Sequence, residues 1–398
     1  MVKPTLLAYP RPPIGRGPQR IGSSAIRDLL AIAQRPDVIS LAGGLPDPDT
    51  FPTDAIARAT AELLAGDPAS VLQYGPTDGC DALREVVAAS AGADPAGVLV
   101  TSGSQQALDL VARTVLDPGD VAVVADPAYV GALQALRGSG AELAPIPSDE
   151  HGLRVDLLAD ALHAGLRPKL VHVVATFDNP TGATLDPRRR VALAELAEEF
   201  GFWIVDDDPY GAIRWRGTSP SPLRTLTDRT IALGSTSKVL CPGLRVGWAI
   251  APPELETALA IVKQSADLHT SALSQQIAAR LLGDRQAMGE QLDRLRRTYR
   301  ARAEALGRAL ERHLPGTLAF TPPAGGMFLW CRLADHVRPE ATTTELLGEA
   351  LDAGVAFVPG AAFAAGPGGH DRHLRLSFAT GAPAELDEAA RRLATVLR

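Results

Sequence analysis

Only four of the 39 basic residues in this 398-residue chain are lysines: Lys3, Lys169, Lys238 and Lys263. Arginine cannot form a Schiff base, so chemistry that needs a primary amine side chain has only these four to use. Lys3 lies in a terminus rich in Pro, Gly and Arg. Lys169 follows Arg167-Pro168 just ahead of an apolar run, a solvated setting. Lys263 sits beside Gln264 on a helical pattern, the setting of a surface residue. Lys238 differs, because it closes the run Ser235-Thr236-Ser237-Lys238 directly after the strand-like Thr230–Leu233. Small hydroxyl residues at a strand end can bind phosphate with side chains and backbone amides. Arg245, seven residues on, offers a planar fork suited to the same anion. Taken alone, such a short run reads more readily as a surface lysine on a Ser-rich turn.

Three other segments have residue types that could share a site with Lys238. In Thr101-Ser-Gly-Ser-Gln-Gln, Gly103 follows a strand pattern and Ser104 and Gln105 open a helical one. Free amides at a helix start attract anions, although an ordinary N-cap looks the same. Asp206-Asp207-Asp208-Pro209-Tyr210 places three carboxylates at a strand end, which is costly unless a cation is near. A pyridinium nitrogen fits better than a metal, since no histidine is adjacent; a solvated acidic loop with one helix cap is the alternative. Asn179-Pro180-Thr181-Gly182 makes a tight turn after a strand pattern and can aim one amide into the same crevice.

The elements that must position these residues are legible as periodicity. Short apolar runs at Val98–Thr101, Val121–Ala125, Leu170–Ala175, Trp203–Val205 and Thr230–Leu233 alternate with helical patterns such as Gln105–Val115 and Val191–Phe200. That alternation predicts an α/β fold with a mainly parallel sheet covered on both faces. Ligands of such sheets bind at the carboxyl ends of the strands, where the four segments fall. Past residue 285 a long Arg-rich helical stretch leads to strand patterns at Met327–Trp330, Val355–Val358 and Leu374–Phe378. The expected organisation is an N-terminal arm and helix over 1–50 that joins a smaller α+β domain at 286–398, with a large cofactor-binding domain at 51–285. Ser23 or Ser24 can cap the helix of that arm.

Bulk properties narrow the function. A net charge of −7 argues against non-specific binding to nucleic acid or anionic membrane. Cys80, Cys241 and Cys331 lack metal-ligand spacing and suit a reduced cytoplasmic setting. No leader pattern or long apolar span is present.

Taken together and in order, the motifs resemble those of the fold-type I pyridoxal 5'-phosphate (PLP) aminotransferases, specifically the 2-aminoadipate and kynurenine aminotransferase group. They are Leu41-Ala-Gly-Gly-Leu-Pro, Leu72-Gln-Tyr-Gly-Pro, Gly103-Ser-Gln-Gln, Asn179-Pro-Thr-Gly, Asp207-Asp-Pro-Tyr, Ser235-Thr-Ser-Lys, Gly243-Leu-Arg-Val-Gly and Leu374-Arg-Leu-Ser-Phe. They span nearly the whole chain. The resemblance implies that Lys238 holds PLP as an internal aldimine and then shuttles the substrate Cα proton. It implies that Asp207 pairs with the pyridine nitrogen, that Tyr210 and Asn179 bond the ring's phenolic oxygen, and that Tyr129 stacks on its face. Ser104, Gln105, Ser235, Ser237 and Arg245 would hold the phosphate, with Tyr74 reaching the phosphate of a second subunit in a homodimer. Arg375 would clamp the substrate α-carboxylate, helped by Asn179 and the backbone at Gly44. The reaction implied moves an amino group from an L-α-amino acid to a 2-oxo acid such as 2-oxoglutarate. The same lysine–aspartate–phosphate set also serves decarboxylases, lyases and synthases of this fold. Aminotransferase-like sensor domains of transcription regulators follow a DNA-binding domain, for which the roughly 20 residues before the first helix are too few.

Two residues bear on the substrate side chain. Arg27 matches an N-terminal arginine that meets a second carboxylate in relatives, or it is a surface helix residue. Asp178 replaces a neutral polar residue usual in the aminoadipate type. Facing the pocket it would favour a cationic or amide side chain; the alternatives are solvent or a local hydrogen bond.

Overall fold

The structure is a computed structural model that describes residues 17–21, 35, 37–366 and 368–398. Arg27, Ser23 and Ser24 lie outside the described residues, so the expectations placed on them are not met with a geometry.

Eight strands form the large sheet, in the spatial order Val98–Thr101, Gly247–Ile250, Thr230–Ser235, Trp203–Asp207, Pro168–Val173, Val121–Asp126, Glu142–Asp149 and Gly152–Leu153. The pairings from Thr230–Ser235 across to Glu142–Asp149 are parallel. Successive side chains alternate between the two faces. Ala122, Val124, Leu170 and Val205 pack with helices Ser104–Val115 and Val130–Ser139 on one face. Val123, Val171, Val173 and Ile204 pack with Val155–His163 and Pro187–Phe200 on the other. Burial on both faces is why these strands read as unbroken apolar runs rather than alternating ones.

Three of the eight strands are not among the apolar runs read from the sequence. Gly247–Ile250 runs antiparallel between Val98–Thr101 and Thr230–Ser235. Glu142–Asp149 contains Pro145 and Pro147, which argue against a strand interior, yet it pairs next to the short edge strand Gly152–Leu153.

A second, antiparallel sheet has the order Leu318–Phe320, Phe328–Leu333, His373–Ser377, Val358–Pro359. Helices Arg285–His313 and Pro383–Leu397 contribute to its core through Leu306, Leu310, Leu386 and Leu393. Ile39–Ser40 pairs in parallel with Val355–Ala356, tying the N-terminal segment to the C-terminal part of the chain. This carries Leu41 to Leu45 between the two sheets, where the Leu41 carbonyl accepts from the N–H of Ser377 at 2.7 Å.

Candidate active site

Where the parallel strands end, the four segments singled out from the sequence enclose a cavity of about 290 Å³ together with Gly44 and Leu45, Tyr129, and Arg375 of the antiparallel sheet. Lys238 stands in its wall and donates from Nζ to the Gly44 carbonyl at 2.9 Å. Burial, and then the guanidinium of Arg375, pull its pKa down to about 8, while Asp207 acts in the opposite sense. The amine is therefore far easier to deprotonate than a surface lysine. The close approach at Gly44 depends on its lack of a side chain, since a Cβ there would lie 3.1 Å from Phe328 Cζ.

Beside the lysine the backbone builds a concave, donor-rich surface. Gly103, at φ +94°, ends the strand Val98–Thr101 and caps helix Ser104–Val115. The amides of Ser104 and Gln105 precede the first intrahelical bond and so are free for an anion. Arg245 crosses this turn, donating from Nη2 to the Ser102 carbonyl at 2.8 Å. It sits at φ +52°, an uncommon conformation for a residue with a side chain. A Cβ on Gly103 would meet Arg245 Nη2 at 2.5 Å, so the turn and the arginine fit only as they stand. Ser235 Oγ and Ser237 Oγ lie 2.8 Å apart on the facing strand end.

The three aspartates separate by strand alternation and turn geometry. Asp206 points to the opposite face of the sheet, where burial and then the charge of Asp208 lift its pKa to about 7 against the pull of Arg190. Asp208 accepts from the N–H groups of Gly211 at 2.6 Å and Tyr210 at 3.3 Å, shaping the turn. Asp207 alone lines the cavity. Its Oδ1 is buried without a hydrogen-bond partner, and His172 Nε2 lies 3.9 Å from its Oδ2. A buried, half-satisfied carboxylate is costly unless a donor or cation completes it. The three carboxylates diverge, so one acid is left for the site, but they still repel one another: Asp208 and Asp207 both help to raise Asp206, and Asp207 helps to raise Asp208.

Arg375 is buried. It donates from Nη1 to Asn179 Oδ1 and from Nη2 to the Ala42 carbonyl, both at 2.7 Å. Its guanidinium lies 4.2 Å from the ring centre of Phe328 and 5.0 Å from that of Phe363. Nε has no partner among the described residues. Burial lowers its pKa to about 10, so it stays charged at neutral pH. A dry, oriented guanidinium suits a carboxylate approached in the plane of its fork.

Tyr129 and Tyr210 complete the wall. Burial pushes the Tyr129 phenol up to about 12 and raises Tyr210 as well, so both remain protonated donors. Tyr129 donates to Gln105 Oε1 at 3.2 Å. Gly44, Ser104, Gln105, Tyr129, Asn179, Asp207, Tyr210, Ser235, Ser237, Lys238, Arg245 and Arg375 therefore line one cavity. Tyr74 does not. It is 78% exposed and meets the edge of His269 at 5.7 Å. Asp178 is buried beside the site, and its Oδ2 accepts from Thr181 Oγ1 at 2.7 Å. Its burial, only partly offset by that bond, lifts the pKa to about 6. Phe328, Phe363 and His172 are not singled out by the sequence, which shows Met327–Trp330 as a strand but not that it meets the cavity.

One expectation is wrong. Lys263 is not a surface residue but is buried completely, with Nζ donating to Asp267 Oδ1 at 2.8 Å. The helical pattern around it does not reveal that helix Pro253–Asp267 presses this position against the start of helix Ser104–Val115. Lys169 is exposed as expected and pairs with Asp120 at 2.7 Å.

A lysine of depressed pKa facing an anion cradle and a buried guanidinium defines a class: enzymes that put an amine to work on a phosphorylated cofactor and select a carboxylate-bearing substrate. The family model described as aminotransferase class I and II matches residues 36–393, and the chain belongs to that family. It is 41% identical over 389 residues to a 2-aminoadipate transaminase of Thermus thermophilus, with 96% of each chain covered. The crystal structure of LysN, an α-aminoadipate aminotransferase also from Thermus thermophilus and complexed with N-(5'-phosphopyridoxyl)-L-leucine, superposes with a TM-score of 0.89. It shares 39% identity over 96% of this chain and 97% of that one. The kynurenine aminotransferase of Pyrococcus horikoshii, solved with PMP, gives a TM-score of 0.88 at 37% identity, covering 94% of both chains.

The protein is a fold-type I aminotransferase, and its cofactor is PLP. The residues present fit that group: an unpartnered Asp207 oxygen for a ring N–H, an amine for the aldehyde, and free helix-start amides at a glycine turn crossed by Arg245 for the phosphate. No helix among the described residues is long and apolar enough to cross a membrane.

Proposed function

We propose that Lys238 is the lysine of this aminotransferase and that the cavity around it takes an L-α-amino acid as donor and a 2-oxo acid, 2-oxoglutarate first among them, as acceptor. One observation carries the reading: Lys238, the lysine that lines the cavity, shares it with the unsatisfied carboxylate of Asp207 and the buried guanidinium of Arg375.

PLP, when bound, supplies an aldehyde that condenses with amines and a pyridinium ring that takes up the electron pair released at Cα. Ser104, Gln105, Ser235, Ser237 and Arg245 would hold its phosphate, and Asp207 would accept from its ring nitrogen and so favour the protonated form. Tyr210 and Asn179 would bond its phenolic oxygen, and Tyr129 would stack on the ring. The chain's own work is then binding and proton movement. Arg375 takes the substrate α-carboxylate, with Asn179 Oδ1 and the Ala42 carbonyl fixing the plane of its fork. Lys238 Nζ, depressed to about 8, is a base at the pH where the substrate amine is presented, and as an ammonium it returns the proton.

The working unit is a homodimer in the cytoplasm. Tyr74 stands exposed, away from its own cavity, and serves the phosphate of the second copy. Residues 51–285 act as the cofactor-carrying domain and 286–398, with the N-terminal 1–50, as the domain that brings Arg375. Arg27, of that N-terminal part, meets the second carboxylate of a dicarboxylic substrate. Asp178 acts on the loop carrying Asn179 rather than on the substrate side chain, because its carboxylate is taken up by Thr181.

The test is Lys238→Ala. Wild-type protein should show a visible absorption band of the bound cofactor that amino donors bleach, and the variant should lose both band and turnover. An unchanged band in the variant sinks the assignment.

A further inference from the structure

Helix Pro253–Asp267 carries an ammonium group with no solvent contact. Lys263 Nζ donates to Asp267 Oδ1 at 2.8 Å, to Thr270 Oγ1 at 3.1 Å and to Gln106 Oε1 at 3.4 Å. A lysine has three donors and no acceptor, so three converging acceptors match it completely. Burying such a charge is expensive, and most lysines avoid it by reaching water.

What these bonds hold lies on both sides of the lysine. On one side, Asp267 Oδ2 accepts from Gln106 Nε2 at 2.7 Å and from Ser102 Oγ at 3.0 Å, and Gln106 Oε1 accepts from the Ser102 N–H at 2.7 Å. Ser102 is the residue whose carbonyl receives Arg245, so the turn Ser102-Gly103-Ser104 is fixed from behind by this network. On the other side, the Thr270 carbonyl accepts from Gln275 Nε2 at 2.7 Å, and Gln275 Oε1 accepts from the Cys80 N–H at 2.7 Å. His269 Nδ1 also lies 2.8 Å from the Thr270 carbonyl, with its ring against Tyr74. The network therefore ends at both limits of the segment Tyr74–Cys80.

We propose that Lys263 is a positioning residue that orders two parts of the cofactor site at once: the phosphate-binding turn of its own subunit, through Asp267 and Gln106, and the Tyr74 segment offered to the second copy, through Thr270, Gln275 and His269. The inference rests on the reading of that turn as the phosphate cradle and of Tyr74 as a shared residue. Lys263 touches neither cofactor nor substrate.

Two variants test it: Lys263→Met, and Lys263→Met with Asp267→Asn, which removes both charges together and avoids a lone buried carboxylate. The readouts are the dissociation constant of PLP for cofactor-stripped protein, the thermal midpoint, the donor KM at saturating PLP, and amide exchange. Both variants should bind PLP about tenfold more weakly or worse, as for a lost charge-assisted hydrogen bond. Exchange should quicken at Ser102–Gln106 and across Tyr74–Gly79, while donor KM stays unchanged, because Arg375 is untouched. Lys169→Met, at an exposed pair, should leave PLP binding unchanged. If Lys263→Met does not fold, the double variant decides. A double variant with a lowered thermal midpoint but wild-type PLP affinity overturns the proposal. Arg245→Ala separates the layers. Weakened PLP binding there, with none in the lysine variants, removes the role of Lys263 alone; unchanged binding in Arg245→Ala removes the phosphate cradle itself.

Discussion

Replacing Arg375 tests the substrate side of the site most directly. Its fork is held by two bonds of 2.7 Å, to Asn179 Oδ1 and the Ala42 carbonyl, and flanked by Phe328 and Phe363. Arg375→Met keeps much of the volume between the rings but removes the charge. A substrate carboxylate brought into this dry pocket would then lack its partner, which costs about 3–5 kcal/mol for a broken buried ion pair. That corresponds to roughly 150- to 5000-fold in kcat/KM. Arg375→Lys keeps the charge but cannot make both bonds in plane, so it should recover only part of the loss. Two amine donors, one with an α-carboxylate and one without, are compared at saturating acceptor. The amino acid should lose affinity, seen chiefly in KM, while the simple amine, already poor, should change little. Thermal midpoints report the separate cost of leaving Asn179 and Ala42 without their donor. Normal amino-acid KM in Arg375→Met, or equal loss for both donors, refutes the carboxylate assignment.

Asp207→Asn should retain the fold but slow Cα proton removal, because an amide no longer holds a pyridine nitrogen protonated; deuterium at Cα should then give a larger isotope effect than in wild type, and an unchanged rate would dissociate Asp207 from the ring. Gly103→Ala forces a Cβ to within 2.5 Å of Arg245 Nη2 at a φ of +94°, so PLP affinity should fall with a strain of about 1–3 kcal/mol, read by cofactor titration. In cofactor-free protein the folded state releases the Lys238 proton near 8, whereas the unfolded chain holds it to its ordinary 10.5. Between those values the unfolded state binds more protons, so stability from this group rises with pH; Lys238→Met should flatten that rise in denaturation curves taken at about pH 8 and 10. Mixing Lys238→Ala with a Tyr74 variant should restore part of the activity through hybrid dimers, and exchange of subunits with no recovery would end the shared-site reading.

The strand ends are readable in the sequence because the fold buries both faces of its sheet, turning each strand into a plain apolar run with polar residues just beyond it. Lys238, Asp207 and Asn179 are legible for that reason. The division of labour among Asp206, Asp207 and Asp208 is not, since it depends on which sheet face each meets: Arg190 waits on one, the cavity on the other, and Asp208 turns back to backbone amides. Arg375 is legible as an arginine in a strand, but its burial between Phe328 and Phe363 comes from the pairing of Trp330 with Arg375 across two strands distant in sequence. Lys263 shows the limit most sharply. A helical period tells which residues share a face, and a lysine on such a face reads as solvated. The charge is tolerated only because Asp267, Thr270 and Gln106 meet it from two helices and a loop.

The charges of the cavity form a coupled set rather than a row of independent roles. Arg375 and Lys238 repel one another in a pocket too dry to screen them, and after burial Arg375 is the chief reason the amine titrates low. A donor carboxylate taken up by Arg375, as proposed, would neutralise that repulsion. On that reading, binding of substrate would remove part of what holds Lys238 deprotonated and make its amine a stronger base. A guanidinium supplied by the antiparallel sheet thus adds to burial in lowering the basicity of a lysine supplied by the parallel one. The two sheets need only agree on the position of Gly44, whose carbonyl already holds the Lys238 amine and which lies against Phe328 and Arg375.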